Sequence, residues 1–243
     1  MQKVQRDSDL KKFRKEDYNM KEVRDILKSY EIYADVFSYP EEPLRSKIKN
    51  VQKHLEEFYN EEANLFFEFS EFASSIELKK WEEIYTRTFD VQALTTIDLG
   101  YVLFGDDYKR GELLVNLSKE HKKVNNECSS ELADHLPNVL RLLRKLNDKD
   151  LLEDIISLIL KPALSKIASE FDTNHIEKKS KVYQKHHRTI IEKDIQHALI
   201  YRNAIDTLLL MLNKDFPGNN LDSTEDKSFT RQISTELEIE KLG

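Results

Sequence analysis

Glycine and proline are scarce in this chain, with five of each among 243 residues. Tight turns between strands lean on residues that tolerate positive φ, most often Gly or Asn. A sheet-rich fold is therefore poorly provided for, and an all-α fold is expected. Cysteine is scarcer still. Cys128 is the one thiol, which excludes an intramolecular disulfide and a cysteine-rich metal site and fits a reducing compartment. Long apolar runs are missing too, so no segment reads as membrane-spanning. The opening Met1-Gln2-Lys3-Val4-Gln5-Arg6-Asp7 has no apolar stretch behind its charges and does not read as a secretory signal. The cytoplasm is the expected location. Nor is there an excess of positive charge: 38 Lys and Arg against 45 Asp and Glu leave a net −7, which offers nucleic acid no general attraction.

What is present is amphipathic helix. With 39% hydrophobic and 34% charged residues, the chain can build a core, but with little apolar surface to spare, so some of it is expected to stay unpacked. Residues 1–18 are highly charged and read as a flexible leader. An all-helical domain is expected over 19–213, beginning with Val23, Ile26, Leu27, Tyr30, Ala34 and Phe37 at helical spacing and stopping at Tyr39-Pro40. Further helices carry Leu44, Ile48, Val51, Leu55 and Phe58, with Pro43 near the first turn. Then come Leu65, Phe66, Phe69 and Phe72, and after them Leu78, Trp81, Ile84, Tyr85 and Phe89. Residues 90–106 are the least regular and end in the turn signal Gly105-Asp106-Asp107. Helix resumes with Leu113, Leu114, Leu117, His121 and Val124, and a polar loop occupies 125–133. Asp134 is placed to cap the helix of Leu136, Val139, Leu140 and Leu143. Residues 149–170 are strongly apolar, with Pro162 expected to kink or split their helix. Residues 172–197 are charged and histidine-bearing, an insertion expected to form a helical arm. Tyr201, Ile205, Leu208, Leu209 and Leu212 mark the last helix, and 214–243 read as a polar tail.

A search for reactive constellations finds little. No two glycines sit at phosphate-loop or dinucleotide spacing in a strand-turn-helix context, and no Gly-x-Ser-x-Gly elbow occurs. Glu61-Glu62 and Glu82-Glu83 are adjacent on helices and read as solvated surface. His186-His187 would splay about 100° apart on a helix, so a metal site there needs His175 or His197 brought in by tertiary folding; no metal is expected. Glu127 beside Cys128 disfavours the thiolate. Lys178, Lys179, Lys181, Lys185 and Arg188 can attract an acidic partner, although a solvated helix face is the plainer reading. Trp81, Tyr85 and Phe89, four apart, make an aromatic stripe of the kind more often found in a core than in a binding site. No catalytic residues are assigned, and the chain is not expected to be an enzyme.

Three segments carry a resemblance. Tyr85-Thr86-Arg87-Thr88-Phe89-Asp90, Gly105-Asp106-Asp107-Tyr108-Lys109-Arg110-Gly111-Glu112-Leu113-Leu114 and Glu131-Leu132-Ala133-Asp134-His135-Leu136-Pro137 resemble the centre and the Leu-Pro-Asp-His-Leu-Pro signature of the NarJ/TorD/DmsD family, nearest its NarJ-like branch. Ser38-Tyr39-Pro40 and Tyr201–Leu210 add weaker matches. Ala133 stands where that family usually has proline, and Thr88 where it often has leucine.

The resemblance implies a single TorD-like helical bundle, here with a charged insertion and a polar C-terminal tail. It also implies a molybdoenzyme assembly chaperone of the kind that serves nitrate reductases. The partner is the apo catalytic subunit of a molybdenum oxidoreductase, held by its leader or remnant peptide until bis-molybdopterin guanine dinucleotide is inserted. The chaperone binds no permanent cofactor of its own, and a homo-oligomer is compatible with this reading. Tyr85, Phe89, Tyr101, Asp134, His135 and Pro137 are the client-binding residues it implies. An alternative on the same scaffold is an assembly protein that stays on the mature complex through residues 172–197.

Overall fold

The computed structural model describes residues 20–91, 93–172 and 199–217. The leader 1–18, the bulk of the insertion with His175, His186, His187, His197 and its basic run, and the tail beyond Pro217 lie outside the described residues. The periodic segments form α1 (Met20–Tyr33), α2 (Glu42–Phe58), α3 (Asn60–Ser75) and α4 (Leu78–Phe89). These are followed by α5 (Leu99–Phe104), α6 (Tyr108–Lys123), α7 (Leu136–Lys145), α8 (Lys149–Asp154), α9 (Lys161–Glu170) and α10 (Ile200–Asp215). The fold is all-α. Among the described residues the extended pairing is a single antiparallel bridge between Asp98 and His135. None of the described helices is long and apolar enough to cross a membrane.

Each helix buries its apolar stripe against a neighbour. α10 packs on α3 and α9, α2 on α3, and α1 on α7. α1 and α7 run antiparallel, because Glu31 pairs with Arg144 and Asp35 with Arg141. The first stripe leaves α geometry early: Ala34–Phe37 wind as a tighter 3-10 turn before Ser38 extends toward Pro40. Tyr201 occupies the middle of the aromatic core, with ring centres of Phe89 and Phe69 at 4.9 and 5.1 Å. The indole N–H of the fully buried Trp81 donates to the Tyr201 hydroxyl at 2.9 Å.

Pro162 neither splits nor ends its helix. Ile155–Leu160 widen into a π-helical turn, and Leu160 and Lys161 keep helical φ and ψ, so the chain runs on into α9. A π turn shifts the hydrogen-bond register just where proline lacks its N–H.

Several polar expectations need correction. Glu62 is not solvated: it is buried, and Lys214 Nζ pairs with it at 3.3 Å. Glu83, by contrast, lies near the surface between Lys80 and Arg87. α10 runs two residues past 213, and Asp215, expected in the polar tail, is buried and accepts from the Tyr30 and Tyr59 hydroxyls at 2.7 and 2.6 Å. Phe58, expected on the inner face of α2, is exposed and stacks near His54 instead. The irregular stretch 90–106 contains a helix, α5, and that helix positions the candidate site.

Candidate functional site

The loop between α6 and α7 is held from inside by one histidine. His121 is buried, and its Nε2 lies 3.0 Å from the Ala133 carbonyl while Nδ1 lies 2.8 Å from the Asn126 amide nitrogen. A carbonyl only accepts and an amide nitrogen only donates, so His121 must be neutral, with its proton on Nε2. Asn126 also donates to the Asn138 carbonyl at 3.1 Å, and Asn138 donates to Leu132 O at 3.0 Å. Asn125 and Ser129 take positive φ to complete the turns.

Burial lowers the His121 pKa below its ordinary 6.5. Folding therefore favours the neutral ring: its contribution is complete above the unfolded-state value and declines as pH falls from about 6.5 toward the lower folded value. The melting temperature is expected to drop between pH 7.5 and 5.5, and His121→Gln should flatten that slope. Part of it will remain, because burial shifts His54 in the same direction. A slope that the substitution leaves unaltered would remove His121 as the loop's pH-sensitive clamp.

This loop delivers 134–136 alongside 97–99. The Leu99 N–H donates to Asp134 O at 3.0 Å, and the Leu136 N–H to Ile97 O at 2.9 Å. The Asp134 carboxylate thus arrives under the start of α5, where its Oδ2 accepts the Gly100 N–H at 3.0 Å. This corrects the expected capping role. His135, not Asp134, occupies the position before α7, without a side-chain cap, and Pro137 fills the first turn, where its missing N–H costs nothing. Asp134 serves a different helix, whose first N–H groups also lack partners within the helix.

Around Asp134 the other charges assemble. Arg110, from the first turn of α6, brings Nε to 3.7 Å from Asp134 Oδ2 and Nη2 to 3.5 Å from Asp98 Oδ2. Its guanidinium lies over the Tyr101 ring, 5.0 Å from the centre, a cation–π contact. His135 Nδ1 is 2.9 Å from Asp98 Oδ1 and 4.0 Å from Glu131. Asp134 is wholly buried; among the described residues its Oδ1 and the Arg110 Nε have no hydrogen-bond partner. Burial first, and then the neighbouring Asp98 carboxylate, push its pKa above the usual carboxylate value, against the opposing pull of Arg110 and the Gly100 N–H.

Of the six expected client-binding residues, the fold brings Tyr101, Asp134, His135 and Pro137 together. Tyr85 and Phe89 sit nearby but belong to the core: each is under a tenth exposed, their rings pack on Tyr201, and the Tyr85 hydroxyl donates to Phe37 O at 3.0 Å. Asp134 is likewise buried, beneath Arg110. Toward solvent stand Tyr101, 43% exposed, with the carboxylates of Asp98 and Glu131 linked through Arg110 and His135, while Tyr39, 51% exposed, and Asp90 are exposed at the two ends of the Tyr85 region. Tyr39 rests edge-on against Tyr85 at 5.5 Å, and the charges of Glu131, Asp90 and Asp98 all add to the burial that raises the Tyr85 phenol pKa. Asp98, Gly100, Arg110 and Glu131 were not assigned from sequence; Arg110 and Glu131 lie within the resembling segments, whereas Asp98 and Gly100 lie in none of them.

An acidic face with two open aromatic rings suits a recognition surface. Burial, rather than Glu127, raises the Cys128 thiol pKa and keeps it a weak nucleophile. Among the described residues no three His, Cys, Asp or Glu side chains are grouped to hold a metal ion. No protein-family model and no curated protein matches the chain.

Proposed function

We propose that this chain is a maturation chaperone of the NarJ/TorD/DmsD kind. In this reading it is not an enzyme, acts in the cytoplasm, and holds the apo catalytic subunit of a molybdenum oxidoreductase, such as a nitrate reductase, while the molybdenum cofactor is inserted. One observation carries the reading. Two of the resembling segments meet directly, with Arg110 Nε 3.7 Å from Asp134 and Arg110 Nη2 and His135 both on Asp98, and the charge of Glu131 in the third acts on the Tyr85 phenol of the first. A peptide with apolar and basic residues finds there exposed rings for contact area and carboxylates for orientation.

The experiment is purification of the tagged full chain from its own host, together with a deletion strain. A molybdenum oxidoreductase subunit lacking metal should copurify, and the enzyme in the deletion strain should be poor in molybdenum. Normal molybdenum content in that strain would remove this reading. At residue level, Tyr101→Ala should weaken binding of the client's leader peptide by about 5–30-fold, the range of an exposed aromatic anchor worth 1–2 kcal/mol. Stability should hardly change, because the ring is nearly half exposed. Equal peptide affinity in both proteins would take Tyr101 out of the site.

A second reading, an assembly protein that stays on the mature complex, draws on the ends of the insertion. Asp172 and Arg202 pair at 2.8 Å, so the charged segment leaves and rejoins the bundle at one point. Copurification with fully metallated enzyme, abolished by deleting 172–197, would favour it.

A further inference from the structure

Arg110 stands between two carboxylates and bonds closely to neither. Its Nη2 is 3.5 Å from Asp98 Oδ2 and its Nε 3.7 Å from Asp134 Oδ2, whereas charge-assisted N–H···O⁻ bonds close to roughly 2.7–2.9 Å. Among the described residues the buried Nε has no hydrogen-bond partner, and neither has Oδ1 of the fully buried Asp134. A buried donor and a buried carboxylate thus stop short of the pair they could make, although such groups are seldom left unpaired in a folded core. Two contacts hold the guanidinium back: Asp98 Oδ2, and the Tyr101 ring whose centre is 5.0 Å away.

The way inward is open. A Cβ at Gly100 would lie 2.7 Å from Asp134 Oδ2 and 3.3 Å from Arg110 Cγ, so the missing side chain lets the Arg110 stem settle toward the carboxylate. Asp98, the outer partner, is 26% exposed at the side chain and shares Oδ1 with His135 at 2.9 Å. Of the two carboxylates beside Arg110 it is the one a cation from solvent can reach.

We propose that Arg110 is a two-position switch: in the free protein it stands in for a client's cation on Asp98, and when that cation arrives it moves inward to pair with Asp134. This rests on the client-binding reading for the cation, but not for its test. A ligand shifts an equilibrium only by binding one state better, and the incoming cation meets an unneutralised Asp98 only in the inward state. The buried carboxylate gains by the move. Burial and the Asp98 charge both disfavour its ionised form; a cation on Asp98 offsets the second, and the approaching guanidinium opposes the first.

Asp98→Asn imitates the arriving cation by removing the charge that holds Arg110 out. In the isotope-labelled full chain followed by NMR, solvent exchange of the Arg110 Nε–H should slow by about tenfold or more in this variant as the new bond forms. Loss of a negative charge by itself attracts hydroxide and speeds exchange, so a purely electrostatic effect has the opposite sign. Adding Asp134→Asn should undo the slowing. Unaltered or faster exchange in Asp98→Asn, or slowing that survives Asp134→Asn, would overturn the proposal.

Urea denaturation supplies a second measurement that leaves Asp134 untouched. Arg110→Gln should lower the midpoint more in the Asp98→Asn background than in the natural one, because there Arg110 has its closer, buried partner. An equal or smaller loss means that Asp98 alone holds Arg110, and overturns the proposal. Normal molybdenum content in the deletion strain with the exchange still slowed would instead remove the chaperone reading and leave the switch intact.

Discussion

Asp215→Ala is expected to lower the free energy of unfolding by about 2–4 kcal/mol, because two buried hydroxyls lose their acceptor at roughly 1–3 kcal/mol each. The loss stays below the full sum because the carboxylate is itself costly to bury. Tyr30 and Tyr59 both donate to the same oxygen, Oδ2, and an amide oxygen can accept both. Asp215→Asn should therefore lose no more than about half as much. The readout is the urea midpoint at unchanged slope.

The two substitutions also separate geometry from charge. Burial, the largest cause, raises the Asp215 pKa above its ordinary 3.8 despite the two phenols and Lys214. Folding thus favours the protonated form. The group's contribution is complete below the unfolded value and is lost as pH climbs through the folded one. The Asn variant should accordingly trail the natural protein most at acid pH and least at neutral pH. A deficit that grows from pH 4 to pH 7 would show that the ionised carboxylate is the favoured state.

Gly100→Ala should cost about 2–3 kcal/mol, in the range of an overpacked core with a broken hydrogen bond. A Cβ at Gly100 would lie 2.7 Å from Asp134 Oδ2, 3.2 Å from Leu113 Cδ2 and 3.3 Å from Arg110 Cγ. None of the three can easily withdraw, since Asp134 is buried and held by the Gly100 N–H itself. In the proposed chaperone reading, client binding should fall with stability, as Arg110 loses the carboxylate 3.7 Å from its Nε. Gly111 provides the contrast. A Cβ there meets nothing within 4 Å, and the residue lies inside α6, so Gly111→Ala should stabilise the protein by about 0.5–1 kcal/mol. Equal effects at the two positions would mean that backbone propensity, not the collision with Asp134, governs Gly100.

That pair also separates what is legible in the sequence from what is not. Helices with a full apolar stripe, such as those of Val23–Tyr30 and Leu136–Leu143, are readable because burial on one face forces a period near 3.6. α5 is not: its six residues, Leu-Gly-Tyr-Val-Leu-Phe, are too few to show a period. Its start is held by Asp134, 34 positions away. Asp215 and Glu62 look like surface charges for the same reason, since the partners that make burial tolerable lie 156 and 152 positions distant. At the site, the motif residues indicate the right neighbourhood. Which of them face outward was decided by packing: the Tyr85 and Phe89 rings were drawn inward by Tyr201, a residue of the last described helix.

That position of Tyr201 bears on synthesis. α10 closes over Trp81, Phe69 and Phe89 from the far end of the chain. Until the ribosome has released residues near Asp215, those rings stay uncovered and the hydroxyls of Tyr30 and Tyr59 lack their acceptor. A nascent or prematurely terminated product therefore displays a greasy, half-built interior. Quality-control proteases that read exposed aromatics can distinguish it from the finished molecule.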